Sequence, residues 1–249
     1  MRTIGLLGGM SFESTLPYYR IVNETVRQQR GGLHSAKIAL YSVDFHDVER
    51  MQAAGDWTSA GGLLADAARA VEAAGADFLV LCTNTMHKVA PAIERAVAIP
   101  LLHIADPTAA ALLRAGLSTI ALLGTRFTME QDFYRGRLRS HGIETIVPDD
   151  AGRAWLHRVI YDELCCGIVR DASRTQLCAV IAALVARGAQ GVVLGCTEIA
   201  MLIGDGDVPV PVFDTARLHA EAAALHALAD DAPSSPAADG SRTPMPQRA

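Results

Sequence analysis

Two short segments each place a proton-carrying side chain at the end of an apolar run. Residues 75–85 read GADFLVLCTNT and residues 188–198 read GAQGVVLGCTE. Superposed, Gly75 meets Gly188, Leu81 meets Leu194, and Thr83 meets Cys196. A hydroxyl and a thiol at equivalent strand ends suit attack on one small molecule from opposite faces. Cys196 precedes Thr197 and Glu198 at an expected strand-to-helix junction. Backbone N–H groups there would stabilise a thiolate and lower its pKa from about 8.5; a buried structural cysteine is the alternative. Thr83 fits two roles, cap of the next helix or proton carrier opposite Cys196. A hydroxyl is a far weaker acid than a thiol, so a Thr/Cys pair would be kinetically lopsided.

The neighbouring polar residues suit anion binding without a formal charge. Asn84, Thr85 and Thr197 would hold a carboxylate, or cap and brace their own turns. Gly8–Gly9 permits a tight turn and close backbone approach before Met10 and Ser11. It lacks the remaining glycines of a dinucleotide fingerprint, and no phosphate-loop motif occurs. In DFHDVERMQ, Asp44, His46, Glu49 and Arg50 form a polar patch after a strand, a solvated loop from which Gln52 would reach a cavity mouth. His87 would orient the Asn84 cluster or sit satisfied in a helix. His103–Asp106 and Asp214–His219 fit acid/base pairs or helix caps. Cys82, one residue before Thr83, points to the other side of its strand and reads as core. Cys165, Cys166 and Cys178 fall in expected helices and read as structural.

The elements that must position these groups alternate. Short unalternated apolar runs near 3–7, 36–43, 77–82, 100–104, 119–123, 143–147, 190–195 and 210–213 read as buried parallel strands. Helical periodicity fills 14–30, 58–74, 86–96, 107–115, 129–140, 152–166, 173–187 and 216–229. The order predicts an α/β fold with right-handed crossovers. TIGLLGG at 3–9 matches TIALLGT at 119–125, and Tyr18 falls in register with Tyr134. The repeat predicts two pseudo-symmetric lobes, each a mainly parallel sheet flanked by helices. Their expected bounds are 1–105 plus 214–229 and 106–213, with helix 216–229 packing back on the first lobe. The Pro/Ser/Ala-rich stretch 230–249 is an expected disordered tail. Ligands in such sheets bind beyond the carboxyl ends of the strands.

Composition removes several function classes. The 249 residues are 50% hydrophobic and 20% charged, with a formal net charge of -5 and no dense basic run. That argues against a nucleic-acid surface. No apolar run approaches a membrane span, and MRTIGLLGGM is unlike a signal peptide. Five cysteines, an odd number without a C-x-x-C pair, make neither a disulfide framework nor a zinc site with the histidines. A reducing cytoplasm is the expected compartment.

IGLLGGMSFEST with PYYR, VLCTNTMHK, LLGTRFTMEQDFYRGRL, and GCTEI with PVFDT together resemble the aspartate/glutamate racemase family. The resemblance spans about residues 1–229 and is nearest the bacterial L-aspartate/L-glutamate-specific branch. It implies a homodimer of two-lobed chains that racemises a small acidic amino acid without pyridoxal phosphate or metal. Family members mostly use two cysteines, one on each side of the substrate α-carbon. Here the first position is Thr83, as in the L-specific branch, and the second is Cys196. Carried over by motif, Met10, Gln52, Asn84, Thr85, Thr197 and Glu198 would contact substrate. Many archaeal members carry a basic residue after the EL of YDELCCG, where this chain has Cys165 and Cys166; that departure implies a different recognition of the distal carboxylate. A related isomerase or decarboxylase acting on another small dicarboxylate is the competing enzymatic reading, and a two-lobed binding module the non-enzymatic one.

Overall fold

The computed structural model describes residues 1–229, and the expected tail at 230–249 lies outside the described residues. Eight strands form two four-stranded sheets. In the first, β1 (Ile4–Gly8), β2 (Ile38–Ser42), β3 (Phe78–Leu81) and β4 (Leu101–Leu102) lie in the order β2-β1-β3-β4. In the second, β5 (Thr119–Gly124), β6 (Glu144–Ile146), β7 (Val192–Gly195) and β8 (Val212–Asp214) repeat that order as β6-β5-β7-β8. Every pairing is parallel. All eight expected strands are present, and the repeat is realised as two sheets of one topology.

The runs of the central strands β1, β3, β5 and β7 lack alternation because both of their faces are covered; edge strand β2 departs from the expected burial, with Leu40 and Tyr41 exposed. Leu79 and Leu81 pack with Leu64 and Val71 of α3 (Trp57–Ala73), while Phe78, Val80 and Cys82 pack with Val22 of α1 (Phe12–Arg30). The period of two places Cys82 in that second layer and frees Thr83 at the strand end. In the other sheet Ala121, Leu123, Val192 and Leu194 face α8 (Asp150–Asp162) and α9 (Asp171–Ala186) through Leu156 and Leu177. Ile120, Leu122 and Val193 face α5 (Ala105–Arg114) and α7 (Asp132–Ser140) through Leu112 and Leu138. The alanine face of α10 (Thr215–Leu228), with Ala220, Ala223 and Ala227, closes on α1 and β1. Small residues let those two helices approach closely. Among the described residues no helix is long and apolar enough to cross a membrane.

The polar patch after β2 is a helix rather than a loop. Asp44 caps α2 (Phe45–Ala54) by accepting from His46 N–H at 3.0 Å, and left-handed Gly55 ends it. Val48 and Gln52 are its buried face, and the charged residues around them are solvated. The expected helix 86–96 is a 3-10 turn, Thr85–Val89, running into α4 (Ala90–Glu94); 129–140 divides into α6 (Arg126–Glu130) and α7.

Gly124 and Gly195 are register partners at the carboxyl ends of β5 and β7. A Cβ on Gly124 would lie 2.7 Å from the Gly195 carbonyl oxygen. Backbone cannot yield as a side chain can, so Gly124→Ala is expected to destabilise the protein by about 1–3 kcal/mol in urea unfolding. Exposed Gly62, within α3 and with open space where a Cβ would sit, provides the opposite case. Gly62→Ala should stabilise by about 0.5–1 kcal/mol.

Candidate active site

The strand ends of both sheets converge on one small cavity. Gly9, with φ of 92°, turns the chain after β1 and delivers Met10. Thr83, Asn84 and Thr85 follow β3; Thr125 follows β5; Cys196, Thr197 and Glu198 follow β7. Gln52 enters from α2 and Tyr161 from α8. All eight residues expected at the site line this cavity: Met10, Gln52, Thr83, Asn84, Thr85, Cys196, Thr197 and Glu198. Each of them is buried.

Glu198 is the hub. Its Oε2 accepts from the Cys196 thiol at 2.9 Å and the Thr197 hydroxyl at 2.8 Å. Its Oε1 accepts from the Ser11 hydroxyl at 3.0 Å. A carboxylate whose side chain was expected to touch ligand therefore bonds the thiol itself and ties the β1 and β7 strand ends together. The low thiol pKa expected from the backbone does not hold. Burial pushes the Cys196 thiol well above its ordinary range, and the negative charge of Glu198 adds to the rise. The resting group is a thiol, hydrogen-bonded to that carboxylate.

The orientation of Asn84 follows from its partners. Thr215 Oγ1 donates to the Leu194 carbonyl at 2.7 Å, so it can only accept from Asn84 Nδ2, at 2.9 Å. The Asn84 Oδ1 is therefore the free end, buried and without a partner. It is an acceptor waiting for a donor, and an ammonium group fits. Thr85 and Thr125 share a hydrogen bond of 2.8 Å across the two sheets. At the mouth, Tyr161 donates to Gln52 Oε1 at 2.7 Å and its ring stacks on Phe45 with centroids 6.2 Å apart.

Behind Thr83 stands a buried histidine group. Ile104 N–H donates to His87 Nε2 at 3.2 Å, which leaves Nδ1 as the protonated nitrogen; it donates to the Thr83 carbonyl at 2.7 Å. His219 Nε2 donates to the Leu102 carbonyl at 2.8 Å, and its Nδ1 accepts from Tyr18 at 2.9 Å. His103 and Asp214 act as caps, taking bonds from Ala105 N–H and from the start of α10. Asp106 pairs with Arg137 instead of His103. Neither expected acid/base pair exists, and neither group lines the cavity.

Cys165 was expected to be purely structural, but it lines the cavity beside Tyr161 and Ile160. Burial, then the Glu198 charge, raises its thiol well above the ordinary range. Tyr161 and Cys165 are four residues apart, the spacing of one helical face, which is the signal that could have paired them. Phe45 is another lining residue outside the expected set with a clear place in its contacts, while Thr125 stands at a strand end where a ligand contact is expected.

The model of the Asp/Glu/hydantoin racemase family matches residues 7–223. A Yersinia pestis protein provisionally described as an Asp/Glu racemase has 57% identity and a TM-score of 0.85, covering 92% of this chain and 100% of its own. An aspartate racemase homologue from Pyrococcus horikoshii has 35% identity and a TM-score of 0.78, covering 91% and 99%. A broad specificity amino-acid racemase from Bacillus subtilis is 27% identical over 156 residues, which is 59% of this chain and 64% of that relative's length.

The histidine group gives the fold a pH window. Burial holds His87 well below its ordinary value, His103 at about 3 and His219 at about 4. The unfolded chain protonates these imidazoles near pH 6.5, and the folded chain does not. Their contribution to stability is complete above pH 6.5 and is lost as pH falls from 6.5 toward 4. Three protons correspond to a slope of up to ~4 kcal/mol per pH unit. Urea unfolding at intervals from pH 7.5 to 4.5 reads this directly; a flat profile would refute the neutral burial of the three rings.

Proposed function

The chain belongs to the Asp/Glu/hydantoin racemase family, and we propose that it racemises α-amino acids, L-aspartate and L-glutamate among them, by a cofactor-independent exchange between Cys196 and Thr83. The observation that carries this reading is the placement of a Glu198-bonded thiol and a hydroxyl at equivalent strand ends around one cavity. The broad specificity in the description of the Bacillus subtilis relative suits a site organised around the amino-acid head group.

Glu198 takes the Cys196 proton along the existing hydrogen bond. The thiolate removes the α-proton of the L-substrate. Thr83 returns its hydroxyl proton to the opposite face, which yields the D-product. The proton gained by Glu198 equals the one lost by Thr83, so the balance closes when the two re-equilibrate with water. Asn84 Oδ1 accepts from the substrate ammonium. Thr85, Thr197 and nearby backbone N–H groups hold the α-carboxylate and stabilise the negative charge that develops on it. Such preorganised donors carry most of the rate, because the α-proton is a very weak acid. The lobes, residues 1–105 with 214–229 and residues 106–213, close over substrate in a reducing cytoplasm.

Enantiomers are equal in free energy, so kcat/KM must be the same in both directions. The lopsidedness of a Thr/Cys pair therefore resides in kcat and KM taken separately. In D2O, chiral chromatography with mass detection should show the first D-product carrying deuterium at Cα while residual L-substrate stays unlabelled. Early label in the L-pool would point to a single base and sink the two-base reading. Cys196→Ala and Thr83→Ala should each lower kcat by about 10² or more.

The homodimer would bury Phe12, Leu16 and Tyr19 of α1, which are more than half exposed and share a face at helical spacing. Light scattering should report a dimer for the parent chain and a monomer for Leu16→Glu. A monomeric parent would remove this proposal.

A further inference from the structure

The substrate side chain meets a wall without a cation. With the α-carbon between Thr83 and Cys196, and the head group on Asn84 and Thr85, the remaining wall is Phe45, Gln52, Tyr161 and Cys165. Among the described residues no Lys, Arg or His lines the cavity. Glu198, the one acidic side chain among the described residues that line it, presents negative charge to whatever binds. Cations stand nearby in an adjoining cavity that shares Gln52 and Tyr161: Arg126 and Arg158 line it, but so do Glu49 and Asp162. The two charges of each sign offset one another. His157 in the same wall is held below its ordinary value by burial and then by Arg126, so it adds no charge near neutral pH.

We infer that the side-chain subsite selects uncharged side chains, so that asparagine and glutamine are better substrates than aspartate and glutamate. The inference rests on the racemase reading above and reverses the preference that the family resemblance implies. A second carboxylate entering this cavity loses its water, finds no counter-ion and lies in the field of Glu198. The amide of the same shape loses less on leaving water. It also finds complementary partners, because the Gln52 amide and the Tyr161 hydroxyl both accept as well as donate.

Isosteric pairs isolate charge from size. The wild-type protein is incubated in D2O with equimolar L-glutamate and L-glutamine, and separately with L-aspartate and L-asparagine. Deuterium at Cα of each is followed by mass spectrometry. Competition in one vessel reads the ratio of kcat/KM directly. The expected result is that each amide is labelled about tenfold or more faster than its acid. Equal labelling, or faster labelling of either acid, overturns the inference and leaves the racemase reading intact. No labelling of any of the four, with none in a panel of other neutral amino acids, overturns the racemase reading and the inference with it.

Discussion

One buried carboxylate organises the centre of this protein. Among the described residues Glu198 has no counter-ion within the cavity; hydrogen bonds hold it instead, from Ser11 on one side and from Cys196 and Thr197 on the other. A buried acceptor of this kind is costly if any donor leaves, about 1–3 kcal/mol or more for each. The loop after β1 and the turn after β7 are therefore fixed relative to one another by electrostatics as well as by apolar packing. The same charge discourages ionisation of the thiol beside it. Holding the strand ends together and keeping the cysteine protonated are two results of one interaction.

The frame is symmetric and its chemistry is not. Equivalent strands end in LCTNT and LGCTE, yet a histidine braces the first through the Thr83 carbonyl and a carboxylate engages the second through the Cys196 side chain. The Thr85–Thr125 bond joins the two sheets where their strand ends meet. A 3-10 turn follows each strand, and the side chains beside them make one an acidic neighbourhood and the other a neutral one.

What the sequence made legible follows the same division. Strands buried on both faces announce themselves as apolar runs, and the repeat in residues 75–85 and 188–198 predicted where the cavity would lie. Parity alone separated Cys82 from Thr83. Three features escaped. α2 carries its buried face on few residues, Val48 and Gln52 among charged neighbours, so composition concealed its period. Tyr161 and Cys165 reach the cavity from the far end of α8 and the turn after it, a placement set by how that helix lies on its sheet. The pKa of Cys196 depends on complete burial and on the Glu198 rotamer, neither of which a linear motif encodes.

The route of the chain has a further consequence. α10 completes the layer over Tyr18, Val22 and Phe78 in the first sheet, although its residues come last among those described. On the ribosome, the strands of that sheet emerge long before their cover. At about 5–20 residues per second, this layer waits on the order of 10 s for α10. During that interval the nascent first sheet exposes aromatic and branched side chains to the cell, a natural footing for chaperones that recognise apolar segments.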